Sequence, residues 1–246
     1  MKVSIITVAY NSQSTIEETI QSVLSQDYSA IEYIVIDGGS SDGTVDLIKK
    51  YQANIDYFVS EPDQGIYDAM NKGVDAATGE LIGILNSDDV YANNKVISDL
   101  VNQVKGHDAV YGDLVYVKAN DLNKIKRFWK SGNYKTGSFV KGWMPPHPTF
   151  FVKKACYTNF GSYDTRLKSA ADYELMLRFI LKNNISISYL PKVVVKMRLG
   201  GVSNVSFKNR YLANREDKLA WKLNGLRPSF ATFILKPLRK IKQFRI

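Results

Sequence analysis

The segment Val3–Val8 is an all but continuous run of β-branched residues, and it constrains this chain more than any other feature. Such a run suits a strand buried on both faces, as in a parallel sheet sandwiched between helices; a strand with one solvated face would alternate apolar and polar residues. The next hundred residues keep to that plan. Ser14-Thr15-Ile16-Glu17 reads as a capping box, and Ile16, Ile20, Val23 and Leu24 then recur at helical spacing. Tyr33–Ile36 reads as a second strand, closed by the polar, glycine-rich turn Asp37–Thr44; a short helix over Val45–Tyr51 and a strand over Ile55–Val59 follow. Glu61-Pro62-Asp63-Gln64-Gly65 breaks the chain before a helix with the stripe Ile66, Ala69, Met70, Val74 and Ala77, which Gly79 is expected to stop. Leu81–Leu85 is a further strand. Strands alternating with helices predict an α/β fold, a Rossmann-like and mostly parallel sheet flanked by helices. Beyond it, strands are expected near Ala109–Tyr116, Thr149–Val152 and Val193–Met197, and a helix over Asp172–Leu181.

At 246 residues the chain suffices for one well-buried domain with an appendage. Its single cysteine, Cys156, cannot close an intrachain disulfide, and with two histidines it cannot build a structural zinc site; a reducing, cytoplasmic compartment is expected, with Cys156 as inert core. The N-terminal apolar run reads as a strand and not a signal peptide, and no apolar window approaches the roughly 18 residues a bilayer span needs. The net charge of +9 is unevenly placed: residues 1–207 hold 22 basic and 22 acidic side chains, and the rest hold 11 and 2. A neutral body argues against nucleic acid as a partner, which would favour a basic face on the folded domain.

Open α/β sheets bind ligands outside the carboxyl ends of their strands, so the loops beginning at Asn11, Asp37 and Asn86 are candidates for one site. No G-x-G-x-x-G follows the first strand, which argues against a dinucleotide. Gly137 and Gly142 have Walker A spacing, but Trp143 stands where lysine must be. Asp88 and Asp89 follow a buried strand directly, and two adjacent carboxylates there repel unless a cation or hydrogen-bond donors offset them; Mg²⁺ or Mn²⁺ fits such oxygen ligands. The same aspartates equally read as a chain turn or helix cap. Asp37 reads either as an acceptor for a nucleobase N–H or as a turn aspartate, and Asp172 as a general base or as the acidic member of a capping box Ser169-Ala170-Ala171-Asp172. His147, on the proline-stiffened loop Pro145–Pro148, reads as a structural or substrate-orienting hydrogen bonder. Gly200-Gly201-Val202-Ser203-Asn204 reads as a turn or as a flap whose amides close over phosphate oxygens, with Arg198 adding charge beside it.

Taken together, these strings resemble the family 2 glycosyltransferases, inverting enzymes of the GT-A fold: Val3–Asn11, Val35–Thr44, Ser60–Gly73, Thr78–Asp89 and Ala171–Arg178 occur in the family's order over about residues 1–205. The resemblance implies that Asn86-Ser87-Asp88 stands at the D-x-D motif, with Asp88 on the metal, Asn86 and Ser87 on the donor and Asp89 in support. It places Thr7, Ala9, Asp37 and Asp63 around the nucleoside, with Gly38 where a second aspartate often follows Asp37. Asp172 matches the base of the family's E-D motif, whose glutamate is Ala171 here. His147, Arg198 and Ser203 are candidates for acceptor or flap contacts. The implied function is metal-dependent transfer of one sugar from a nucleoside-diphosphate sugar, UDP being favoured, to a hydroxyl of a glycan or lipid-linked glycan. The Q-x-x-R-W of processive members is absent.

The implied organisation is a catalytic domain over residues 1–205, with a nucleotide-sugar half to about 112 and an acceptor half after it, then a basic amphipathic helical extension over 206–246. Lys236, Arg239, Lys240, Lys242 and Arg245 crowd the last eleven residues among apolar side chains. That pattern suits a peripheral helix on the cytoplasmic face of an anionic membrane, or a helix docked on the domain or on a second copy of the chain. Two rivals stand beside this reading: a sugar-nucleotide nucleotidyltransferase, which would need a glycine-rich loop after the first strand, and a non-catalytic nucleic-acid-binding protein with a basic tail.

Overall fold

Helices cover both faces of the sheet that the first strands build, which is why those strands carry apolar side chains in both directions. The computed structural model describes residues 1–200 and 207–244. In β1 (Val3–Ala9) all seven residues are buried and alternate between two apolar clusters: Val3, Ile5 and Ala9 face one, Ile6 and Val8 the other. β2 (Ile31–Asp37) and β4 (Leu81–Asn86) divide likewise, Tyr33, Val35, Leu81 and Leu85 against Ile34, Ile36, Ile82 and Ile84. The first cluster is closed by α1 (Ile16–Leu24), α2 (Thr44–Lys50) and α4 (Val96–Gln103). The second is closed by α3 (Ile66–Ala76), α5 (Lys154–Phe160) and α6 (Ala171–Met176).

β1 lies between β2 and β4, parallel to both, and β3 (Tyr57–Ser60) continues in parallel beyond β2. The register sets Ala9 beside Asp37, Val8 beside Asn86 and Asp37 beside Ser60, so the polar loops leave one carboxyl edge together. The other half is mixed: β6 (Ala109–Lys118) runs parallel to β9 (Ile187–Arg198) and antiparallel to β7 (Asp121–Trp129) and β8 (Phe151–Lys153). β8 joins the halves by pairing with β4, and β5 (Asp89–Tyr91) pairs with β9.

Several local expectations need correction. The capping box before α1 does not form: Thr15 is the N-cap without a side-chain bond, and the Thr15 and Ile16 amides donate to the Ser12 carbonyl. Gly79 does not end α3; it lies against β1, its amide donating to Ser4 Oγ at 2.8 Å. The helix expected over Asp172–Leu181 begins at Ala171 and changes to π-helical turns over Leu177–Lys182. β9 is longer than expected because Pro191 interrupts its pattern at a register shift opposite Tyr111–Asp113, where a strand tolerates a missing donor. β7 was not expected: Lys124, Lys126 and Arg127 give it the charge that keeps an edge strand from pairing further, and hide its period.

The extension is built into the body. α7 (Phe207–Leu223) places Ala220 and Trp221 in the second apolar cluster, with Trp221 Nε1 donating to the Tyr173 hydroxyl at 2.9 Å. From α8 (Phe230–Ile241), Thr232 Oγ1 donates to the Val140 carbonyl at 2.7 Å. Gly142, at φ 73°, lies directly under the Lys236 backbone, where any side chain would collide. The change of composition near residue 206 is therefore not a break in packing.

Two predictions follow from these contacts. Trp221→Ala should cost about 3–5 kcal/mol in denaturant unfolding, as for a large core aromatic; a change below about 1 kcal/mol would mean that the extension contributes no core. Glu32 accepts from Lys2 Nζ at 2.6 Å, Ser4 Oγ at 2.5 Å and the Thr78 amide at 2.7 Å. Burial opposes its ionisation, but these donors outweigh it and hold its pKa down from 4.5 to about 2. A depressed folded pKa stabilises the protein above the unfolded value and loses that contribution as pH falls through about 2. Glu32→Gln should therefore be less stable at neutral pH and show a shallower fall in stability between pH 4.5 and about 2.

Candidate active site

The loops at the carboxyl edge are stitched to one another. The Asn11 amide donates to Ser40 Oγ at 2.8 Å, Asn11 Oδ1 accepts from the Ser41 amide at 3.0 Å, and the Ser12 amide reaches Thr44 Oγ1 at 2.7 Å. Ser12 Oγ also shares a 2.7 Å hydrogen bond with Ser87 Oγ, which ties the loop after β1 to the one after β4.

Asp37 is fully buried at the end of β2. Its Oδ2 accepts from the Gly39 and Ser40 amides at 3.1 and 2.9 Å and from Ser60 Oγ at 2.6 Å, and its Oδ1 from Ser40 Oγ at 2.5 Å. Of its two readings, the turn aspartate is the one these bonds display, and Oδ1, with a single donor, keeps acceptor capacity. Thr7 is sealed in the core, its Oγ1 accepting from the Tyr33 hydroxyl at 3.1 Å, so its side chain faces a helix layer and not the carboxyl edge. Ala9 contributes its carbonyl, which accepts from the Gly38 amide at 2.8 Å. Asp63 is paired with Lys72 at 2.5 Å, and its Oδ2 lies 2.8 Å from where a Gly38 Cβ would sit, so a second aspartate at this position would require the Asp63 carboxylate to move.

Asn86 and Ser87 leave β4, and Asp88 follows half-buried. Asp89 is already in β5, fully buried and opposite Met197. Burial pushes the Asp88 carboxyl above its usual range; burial, then the neighbouring Asp88 charge, pushes Asp89 much further. Thr19 Oγ1 on the inner face of α1 reaches the carbonyls of Ser87 at 3.0 Å and Asp89 at 2.8 Å. Arg198 holds the loop from the other side: its amide donates to Asp89 Oδ1 at 3.3 Å, Nη1 to the Asp88 carbonyl at 2.6 Å, Nε to the Ala119 carbonyl at 3.2 Å and Nη2 to Glu18. The guanidinium expected beside a flap is thus engaged on all three nitrogens. Ser203 and the segment 201–204 lie outside the described residues.

Asn86 Oδ1 and Asp89 Oδ2 are buried without a hydrogen-bond partner. These atoms and the carboxylate of Asp88, nearby in sequence, are all oxygens, the ligand type a hard divalent cation takes. Among the described residues no group of three acidic, histidine or cysteine side chains stands together, so a cation here would complete its shell from water and ligand oxygens.

Asp172 is not part of a capping box. The Ser169 amide and Oγ both bond Glu216 of α7, at 2.8 and 2.9 Å, and the N-cap is Ala170. The Tyr67 hydroxyl instead donates to Asp172 Oδ1 at 3.2 Å. Tyr67 stacks on Tyr163 with centroids 5.7 Å apart, and the Tyr163 hydroxyl lies 3.1 Å from His147 Nε2. Burial, then the Asp172 charge, raises the Tyr67 pKa well above that of an ordinary phenol, so Tyr67 stays a donor. Burial lowers the His147 pKa and the Asp172 charge recovers only part of it, so this ring is neutral at pH 7. Asp63, in the loop before α3, and Tyr67, in its first turn, are four residues apart, and this stretch connects the sheet edge to Asp172. Cys156 is buried and its pKa is pushed up to about 11, as suits an inert thiol.

The residues that sequence reasoning did not single out are Thr19, Glu18, Tyr67 and Tyr163. Thr19 carried a signal, a polar side chain on the buried stripe of α1; the tyrosines carried none beyond their size.

The sequence model of Glycosyl transferase family 2 matches residues 4–156. An uncharacterised glycosyltransferase of Mycobacterium tuberculosis is 34% identical over 181 residues, 73% of this chain and 69% of that one. A PGL/p-HBAD biosynthesis glycosyltransferase of Mycobacterium bovis is 26% identical over 216 residues, 85% and 82% of the two chains. Among solved structures, TarS of S. aureus superposes with a TM-score of 0.67 at 22% identity; the match covers 89% of this chain and 39% of TarS. A mannosyltransferase of Pyrobaculum calidifontis, solved with GDP-Man and Mn²⁺, gives 0.67 at 17% identity over 97% and 69% of the chains. These two likenesses establish the fold, and the family match together with the M. tuberculosis relative establishes that the chain belongs to glycosyl transferase family 2.

Proposed function

We propose that the chain transfers a single sugar from a nucleoside-diphosphate sugar to a hydroxyl of a glycan or lipid-linked glycan, with inversion at the anomeric carbon. The observation that carries this reading is the desolvated Asp88–Asp89 pair, with unpartnered oxygens beside it, at the carboxyl edge of the sheet. Solved relatives of the fold support the donor class: a TarS fragment was solved with UDP-GlcNAc and with UDP, and the Pyrobaculum enzyme with GDP-Man and Mn²⁺. UDP is the favoured nucleotide.

In this reading the loops after β1, β2 and β3 border the nucleoside through Ala9, the Asp37 turn and Asp63, and Asn86 and Ser87 meet the donor. Asp88, supported by Asp89, would hold a divalent cation, Mn²⁺ or Mg²⁺, which supplies positive charge to offset the negative charge developing on the diphosphate. Asp172 takes the acceptor hydroxyl's proton as its oxygen bonds to the anomeric carbon and the bond to the diphosphate oxygen breaks, its electron pair leaving with the diphosphate. One displacement from the opposite face inverts the configuration. Tyr67 aims the Asp172 carboxylate, and neutral His147 holds Tyr163, on which Tyr67 stacks.

Asp172→Asn should lower turnover by about 10²–10⁴-fold, the share of a general base, while the melting shift produced by UDP-sugar with Mn²⁺ remains. Asp88→Ala should abolish the Mn²⁺-dependent part of that shift. Wild-type turnover in Asp172→Asn would refute the assigned base, and an unchanged Mn²⁺ response in Asp88→Ala would refute the cation site. Tyr67→Phe keeps the stacked ring and removes one donor to a carboxylate, so kcat should fall roughly tenfold with the donor KM unchanged. A rise in KM alone would assign Tyr67 to donor binding.

A further inference from the structure

Docking on the body accounts for one face of α8 and leaves the other free. Lys236 Nζ lies 2.7 Å from each carboxylate oxygen of Asp217 and 3.5 Å from the centroid of the Tyr173 ring, so this cation of the tail is committed inward. Thr232 is buried on the same side, and Phe233 packs against the second apolar cluster. Phe230, Ile234 and Leu238, spaced four residues apart, form a stripe on the opposite side with exposures of 89, 49 and 50%. Arg227, just before α8, and Arg239, in its last turn, are exposed, as are Lys124, Ile125 and Lys126 of β7. The helix after α8 is tied to that strand by a 2.6 Å bond from Arg127 Nε to Gln243 Oε1. From Lys218 to Ile246 the sequence holds eight basic residues and no acidic one.

We propose that this outward face of α8 docks on an anionic lipid bilayer. The apolar stripe would enter the acyl boundary and the surrounding cations would meet lipid phosphates, the two contributions that interfacial helices combine. Charge complementarity selects this occupant. A second copy of the same face would set cations against cations, and a nucleic acid would leave the Phe230–Ile234–Leu238 stripe in water. Because Lys236 stands over Tyr173, next in sequence to Asp172, docking would hold the acceptor side of the site near the bilayer. There it would meet a lipid-linked acceptor; this last step rests on the proposed transfer reaction, whereas vesicle binding does not.

Flotation of the full chain with vesicles of phosphatidylcholine, with and without phosphatidylglycerol, tests the proposal without any assay of transfer. The wild type should float with the anionic vesicles only, less so as salt rises, and Ile234→Glu/Leu238→Glu should bind about tenfold more weakly with an unchanged melting temperature. If that variant unfolds, Arg227→Ser/Arg239→Ser, at exposed positions, should show the same loss. Three results would overturn the proposal: no flotation of the wild type, undiminished flotation of the folded variant, or a wild-type dimer in light scattering that the variant loses while vesicles bind neither. Turnover on a soluble acceptor surviving in a variant that no longer floats would separate the membrane face from the chemistry.

Discussion

A parallel sheet covered on both faces has nowhere to put polar side chains except at its ends, and the rest of this structure depends on that constraint. β1, β2 and β4 spend their lengths in two apolar layers, so their loops concentrate the polar chemistry on one edge. The parallel direction brings those loops out side by side. Hydrogen bonds from Asn11, Ser12 and Ser87 then join them, so the edge behaves as one structure and not as separate turns.

That edge carries an electrostatic load. Asp89 lies in a strand, fully buried beside Asp88, and both carboxyls are pushed toward the protonated form. Thr19 and Arg198 bond mainly to the loop's carbonyls, with one Arg198 amide bond to Asp89 Oδ1, and so fix its shape. In the proposed reading a bound cation would offset the cost of burying these two carboxyls side by side. Asp172 is built differently: it keeps access to water and receives one phenolic donor.

The C-terminal segment joins two properties that composition alone sets apart. Trp221, Asn224 and Lys236 bind it to α6, the helix that bears Asp172, and Phe230, Ile234 and Leu238 face away. One helix thus serves the core on one side and offers a cationic, apolar surface on the other.

The strand–helix alternation, the carboxyl-edge loops and the family resemblance were all legible in the sequence, because hydrophobic period and turn chemistry are local properties of the chain. The mixed half was not. β7 hides its period under the lysines that protect an edge, and Pro191 interrupts the pattern of β9 where a register shift accommodates it. Local sequence left Asp37 and Asp172 each with two readings. Only the tertiary structure added the Ser60 hydroxyl to the local Gly39 and Ser40 donors on Asp37 and took Ser169 away from Asp172 to Glu216, because Ser60 and Glu216 come from other segments of the chain. The positive charge of the tail was visible from composition; which of its side chains turn inward was decided by packing against Tyr173, Val140 and Gly142, contacts that no local pattern encodes.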